Sequence, residues 1–186
     1  MAEDDVTAGD LPLVVIVGGA PGTGKTTLAP ALANVLELPL LSKDLIKESL
    51  MDSFGVTDID MSQRIGLAGW RLLYQVAGWL LDAGVGFVIE GNFEVARAEG
   101  ALGRIAHRSR AVQINCQCAD SLSQERYERR ATAADRHPGH MDAARGPRPA
   151  SDFGPLDLGI PMLVVDTTDD YHPALTDILA FVRRDS

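Results

Sequence analysis

The chain has 186 residues, 46% hydrophobic and 23% charged, with a net charge of −9. That is one domain's worth of chain, long enough to bury a core without staples, and its composition excludes disordered and fibrous classes. Two cysteines, Cys116 and Cys118, are too few for a disulfide framework. No apolar run approaches the roughly 18 residues of a membrane span, and MAEDDVTAGD lacks the basic and apolar regions of a secretory signal. A reducing cytoplasm, no membrane association and a monomer or homodimer are therefore expected.

The charge is uneven. Residues 1–10 carry four acids and no base and read as a disordered acidic tail; residues 11–186 read as a single domain. Between residues 97 and 148 the balance reverses, with Arg97, Arg104, Arg108, Arg110, Arg126, Arg129, Arg130, Arg136, Arg145 and Arg148 in one stretch. A local arginine excess in an acidic protein points to an anionic small ligand and speaks against a nucleic-acid coat protein.

In chain order, LPLVVIVGG is a continuous β-branched run, the mark of a strand buried on both faces. Lys25 to Leu36 reads as a helix stopped by Pro39, PLLS as a short second strand and KDLIKESLMDSF as a helix. Met61 to Asp82 has helical apolar spacing at Ile65, Leu67, Ala68, Leu72, Leu73, Val76 and Leu80, and Ala83-Gly84 ends it. Trp70 and Trp79 on that helix are read as core, with Trp70 or Tyr74 as candidates to line a pocket. GFVIE is a third strand, 93–108 a helix, AVQINCQC a fourth strand with buried thiols, and 120–134 a charged helix. The Pro/Gly-rich stretch Pro138 to Gly159 reads as loop or lid, MLVVD as a fifth strand, and Pro173 as the opening of a last helix. Strands separated by helices predict an α/β fold with a parallel sheet.

Gly19-Ala20-Pro21-Gly22-Thr23-Gly24-Lys25-Thr26 fits G-x-x-x-x-G-K-[ST] between a buried strand and a helix. Glycines let successive backbone N–H groups turn toward phosphate oxygens, and the helix that follows aims its positive end at the same anion. Lys25 would neutralise the β- and γ-phosphates, Thr26 would ligand Mg²⁺, and Thr27 would meet the α-phosphate. Lys25 itself is read as a loop lysine without core packing. The motif implies binding of ATP or another nucleoside triphosphate. The Asn-Lys-x-Asp base-reading motif of GTPases is absent and the chain is short for a motor ATPase, so small kinases remain.

Asp44 lies 19 residues past Lys25 at the carboxyl end of the second strand, where ligand crevices of open α/β sheets form. There it could accept the proton of an attacking hydroxyl or cap the next helix. Glu90 ends the third strand as a candidate for a Mg²⁺ contact or for orienting water.

The phosphate loop, S-x-D-x-x-K (Ser42 to Lys47), V-I-E-G-N-F (Val88 to Phe93) and R-Y-E-R-R-x₅-R-H-P-G-H (Arg126 to His140) together resemble the small P-loop kinases of the chloramphenicol-phosphotransferase-like, polynucleotide-kinase-like and zeta-toxin-like group. The resemblance runs from about Leu11 to Arg183. It implies a five-stranded parallel sheet of order 2-3-1-4-5 with helices on both faces, Asp44 as catalytic base and an arginine-bearing lid, about residues 126–150, closing over ATP. On the acceptor side it makes Asp44, Lys47, Glu90 and Asn92 candidate substrate contacts. Helical spacing puts Arg126, Arg129 and Arg130 roughly on one face, and with Arg136 just beyond they are candidates on the lid, Arg130 and Arg136 for the transferring phosphoryl group and Arg126 for the nucleotide. The chain departs from the group in having Glu90 where Asp is frequent, and Lys47 where the polynucleotide-directed branch often has Arg. A lysine is a point charge, not a planar fork, which weighs against a polynucleotide acceptor.

His137 and His140 are read as polar contacts of a lid turn, since no cysteine or carboxylate pattern accompanies them as a metal site would require. Three functions follow: a kinase for a hydroxyl of a metabolite or antibiotic, a polynucleotide- or nucleotide-sugar-directed kinase, and a non-catalytic ATP-binding module. Acidic charge and Lys47 favour the first, and Asp44 favours an enzyme over a module.

Overall fold

The protein is described by a computed structural model covering residues 11–134, 136–141 and 148–185; the acidic tail and Arg145 lie outside the described residues. Five strands, β1 (Leu13–Gly18), β2 (Leu40–Ser42), β3 (Phe87–Glu90), β4 (Arg110–Gln117) and β5 (Met162–Asp166), form one sheet in the order β2-β3-β1-β4-β5. Every strand pair is parallel, as crossover helices require.

The helices are α1 (Lys25–Leu36), α2 (Lys43–Phe54), α3 (Ile59–Asp82), α4 (Val95–Ala106), α5 (Asp120–Ala131) and α6 (Leu175–Asp185), with 3-10 turns at Pro138–His140 and Ala150–Phe153. Central β1 explains the three layers. Val14 and Ile16 face a core built with Leu73 and Ala77 of α3 and Leu102 of α4. Val15 and Val17 face the opposite core, with Leu28 and Leu32 of α1 and Ile178 and Val182 of α6. The two-residue period of a strand sends alternate side chains to opposite sheets of helices. Each such fully buried aliphatic side chain contributes about 1.5–3 kcal/mol.

Several expectations are corrected here. α3 begins at Ile59, where the Asp58 side chain accepts from the Met61 N–H at 2.8 Å. Its buried stripe is Ile65, Gly69, Leu73, Ala77 and Leu81, four residues apart. Trp79 and Leu67 lie off that stripe and are 57% and 61% exposed, so Trp79 is not core. The last helix starts at Leu175, two residues after Pro173. The Pro/Gly-rich stretch sends Phe153 and Leu156 into buried positions. The Gln113 side-chain amide staples its return by donating to the Leu156 carbonyl and accepting from its N–H. No helix of the described residues is long and apolar enough to cross a membrane.

Candidate active site

The chemistry gathers where the carboxyl ends of β1, β2 and β3 meet. Between β1 and α1 the phosphate loop turns through Gly19, Gly22 and Gly24, at φ of 138°, 84° and 77°. Gly22 is the tightest of them. A Cβ there would stand 2.1 Å from the Ser123 carbonyl oxygen of α5. Gly22→Ala combines that clash with a left-handed backbone, and we expect it to destabilise the fold by about 1–3 kcal/mol, readable as a lowered urea midpoint at unchanged m-value. α1 begins with no side-chain cap and no acid in its first turn, leaving its first N–H groups and positive end to an anion. Thr26 and Thr27 are exposed there.

Lys25 is 3% exposed, and its ammonium donates to the Ala20 carbonyl at 2.8 Å. The reading of it as an unpacked loop lysine is therefore wrong. Burial lowers its pKa, against the opposing pull of Glu90 and Asp44. Thr23 also bonds the Ala20 carbonyl, at 2.8 Å.

Glu90 pairs in register with Val17 of β1 and Ser42 of β2. It is 4% exposed and accepts from Ser42 Oγ at 2.8 Å. Burial pushes its carboxyl up, while Lys25 and the Ser42 hydroxyl hold it down. Among the described residues no group of three or more His, Cys, Asp or Glu side chains is placed to hold a metal ion.

Asp44 is the second residue of α2 and does not cap it; Ser42 occupies that position without a side-chain bond. The Asp44 carboxylate lies 3.0 Å from Lys43 Nζ and 3.9 Å from Arg136 Nη1. Burial acts to raise its pKa, but Lys43, His140 and Arg136 outweigh it and hold the group well below the usual carboxylate range. It opens onto a cleft of about 1130 Å³ whose walls also include Ala20 and Pro21 of the phosphate loop.

The cleft's far wall is aromatic. Trp70 and Tyr74 stack at 5.8 Å, Phe93 lies 5.4 Å from Trp70, and Lys43 sits over the Trp70 ring. Gly91 makes this possible, because a Cβ there would meet Trp70 at 2.8 Å. Asn92 lines the same cleft, and its buried Oδ1 has no hydrogen-bond partner among the described residues. Lys47 is fully buried; its stem packs beside Gly66 and Gly69 of α3, and its ammonium donates to Ser62 at 3.3 Å. It braces two helices at the cleft floor rather than presenting an exposed charge.

The lid arginines separate. Arg130 lines the cleft, over the Tyr127 ring, with a buried Nε lacking a hydrogen-bond partner among the described residues. Arg136 sits between the carboxylates of Asp44 and Glu48, on the acceptor side. Arg126 is outside the cleft walls and donates to the carbonyls of Thr167 and Thr168 at 2.9 and 2.8 Å. Thr167 in turn donates to the Thr23 carbonyl at 3.0 Å. Arg126 therefore fastens the segment after β5 to α5, and Thr167 ties that segment to the phosphate loop, a role the sequence did not suggest. His140, Glu48 and Ser62 were also missed as members of the site; only the R-H-P-G-H run hinted at the first. Cys116 is buried with its thiol pushed up to about 12 by burial, and Cys118 lies just past β4 and is half-buried.

The zeta toxin family profile matches residues 2–149. The chain belongs to the zeta toxin family. It is similar to a Chloroflexus aurantiacus protein described as a candidate kinase, at 36% identity over 94% of this chain and 98% of that one, with a TM-score of 0.82. Fold likeness extends to a gluconokinase of Sinorhizobium meliloti, at 15% identity, 94% and 93% coverage and a TM-score of 0.56. It extends also to a Mycobacterium tuberculosis APS kinase solved with AMPPNP and APS, at 16% identity, 93% and 98% coverage and a TM-score of 0.58. None of the curated proteins matches the chain. Family and neighbours together make this a P-loop kinase fold, with the sheet order expected of it.

Proposed function

We propose that the protein is an ATP-dependent kinase that transfers the γ-phosphoryl group to a hydroxyl of a small molecule. One observation carries this reading: the phosphate loop, the Asp44 carboxylate and the aromatic wall of Trp70, Tyr74 and Phe93 face one cleft. A nucleotide held at Gly19–Thr27 has its terminal phosphate toward that space, and an acceptor stacked on the aromatic wall lies on its other side. Asp44 accepts the acceptor's hydroxyl proton as its oxygen attacks the γ-phosphorus and the bond to the β-phosphate oxygen breaks, leaving ADP. Asn92 Oδ1 offers a buried acceptor to an O–H or N–H of the same molecule. The gluconokinase and APS kinase neighbours are precedents for this fold serving small acceptors.

The Thr26 hydroxyl and the Glu90 carboxylate are hard oxygen donors, few in number, as suits an ion that takes most of its ligands from phosphate and water. Thr26 would hold Mg²⁺ directly and Glu90 through water; when bound, the ion neutralises charge building on the phosphate oxygens. Arg130 supplies a second positive group from the lid. Arg130→Ala should cut phosphoryl transfer by roughly 10²–10³-fold while weakening ATP binding far less, because the charge it meets grows in the transition state. Single-turnover rates set beside calorimetric ATP affinity check this.

The reading itself is tested by incubating the protein with ATP and Mg²⁺ against panels of hydroxylated metabolites and antibiotics, scoring by mass for the gain of one phosphoryl group. A specific acceptor is expected. Absence of ATP binding would leave the fold without this function.

A further inference from the structure

The lid returns from α5 across one face of α2, and the contacts follow a single stripe of that helix. Asp44, Glu48, Met51 and Asp52 are spaced four, three and one apart, so they share a face. Arg136 lies 3.5 Å from Glu48 and 3.9 Å from Asp44. His140 Nε2 meets Glu48 Oε1 at 2.7 Å and is 4% exposed. The Gly139 N–H donates to His137 Nδ1, which leaves His137 Nε2 as the nitrogen carrying the proton to Asp52 at 3.0 Å. Gly139 itself fits against Met51, since a Cβ there would stand 3.0 Å from the Met51 sulfur. Its carbonyl accepts from Ser62 Oγ at 2.6 Å, and Ser62 accepts from the buried Lys47 ammonium. The segment is thus pinned at four points to α2 and α3, and none of the four is a phosphate-loop residue.

We propose that Arg136–His140 is a latch that couples lid closure to the acceptor side, with Glu48 and His140 as positioning residues for Asp44. This rests on the kinase reading above. Glu48 divides Arg136 between two carboxylates and takes the nearer share. That keeps the guanidinium 3.9 Å from Asp44 Oδ2, beyond hydrogen-bond reach, while Lys43 holds Oδ1 at 3.0 Å, so Oδ2 is the oxygen that an acceptor hydroxyl would reach. Burial holds His140 below its ordinary value, against the attraction of Asp44 and Glu48, so at neutral pH it serves as an N–H donor that orients Glu48. Docking of the lid and exposure of the base then become one event. The nucleotide end of the lid, at Arg130, closes on the phosphates only when the other end has set Asp44.

Glu48→Gln tests the latch. It keeps the size of the side chain and an oxygen for His140, but removes the charge that draws Arg136 off Asp44. Three quantities are read on the full chain: amide exchange at residues 136–141, ATP affinity by calorimetry, and kcat for ATP hydrolysis with water as acceptor. We expect exchange at least roughly tenfold faster and kcat about tenfold lower, with ATP affinity within about twofold of wild type. Ser62→Ala, which loosens the segment without touching Glu48, should move exchange and kcat the same way. Unchanged exchange in both variants overturns the latch. So does faster exchange at wild-type kcat, which would make the docking irrelevant to the base. A loss of ATP affinity in step with kcat overturns it too, placing the segment on the nucleotide. Failure of the kinase reading has a separate signature: an Asp44→Asn variant that turns over as fast as wild type, whatever the exchange data show.

Discussion

Lys25→Ala should lower ATP affinity by roughly 30-fold to 10³-fold or more, the 2–5 kcal/mol that follows loss of a buried, hydrogen-bonded charge partner. The ammonium is the cation of a loop whose other donors are backbone N–H groups. It stands in a low-dielectric setting, 3% exposed, where a charge–charge contact outweighs the same contact in water. The fold should tolerate the change. In the free protein the ammonium donates to the Ala20 carbonyl, an oxygen that Thr23 also serves through both its hydroxyl and its N–H. Removing a cation whose burial is unfavourable offsets the packing lost with its stem. The cost falls on Glu90, which loses the charge that most strongly draws its pKa down. Calorimetric titration with ATP·Mg²⁺ and a thermal melt of the same sample separate the two effects. Wild-type affinity in Lys25→Ala would remove the phosphate loop from the binding site.

Element order was legible because it rests on local pattern, while the strand order β2-β3-β1-β4-β5 came only from the resemblance to small P-loop kinases. The run LVVIVG and the G-x-x-x-x-G-K-T that follows it each need no partner to be recognised, and α1 and α2 have the bounds the spacing predicts. Position alone left Asp44 open between a cleft carboxylate and a helix cap; its facing the cleft follows from strand ends of a parallel sheet converging on one crevice. Contacts between residues far apart in the chain were not legible. Ser62 and Gly139 are 77 positions apart, and His140 and Glu48 are 92 apart. Nothing local distinguishes Ser62 from a solvated serine or Lys47 from a surface lysine. The partners of Arg126 were hidden for the same reason: they are carbonyls 41 and 42 residues away. Trp79 misled through counting. The buried stripe of α3 runs through Ile65, Gly69, Leu73, Ala77 and Leu81, and of the apolar positions counted in the sequence only Ile65 and Leu73 lie on it, so the inner face was set too broadly.

Asp44→Asn should leave ATP affinity nearly intact and slow phosphoryl transfer by roughly the 10²–10⁴-fold that loss of a positioned base costs. The surroundings make this a demanding case. Lys43, His140 and Arg136 hold the carboxyl well below the usual range, so Asp44 is fully ionised at neutral pH and is a weak base there. Two features reconcile that with a catalytic role. In phosphoryl transfer the proton leaves late and most of the catalysis is positioning and charge stabilisation, so an ionised oxygen that orients the hydroxyl matters more than high basicity. The cations beside Asp44 are also those an incoming phosphoryl group would attract, and as they turn toward it the carboxylate recovers basicity when the proton must move. Asn keeps the shape and one acceptor oxygen but cannot take the proton, and its amide points donors at Lys43 and Arg136. Asp44 itself should contribute no acid limb near the ordinary carboxylate value, since Lys43, His140 and Arg136 hold it below that range; a loss of rate there belongs to Glu90, whose carboxyl is pushed up by burial. The decisive comparison is single-turnover transfer in wild type and Asp44→Asn at saturating ATP, with ATP affinity measured alongside. Equal rates would take Asp44 out of the chemistry and leave a nucleotide-binding cleft without a base.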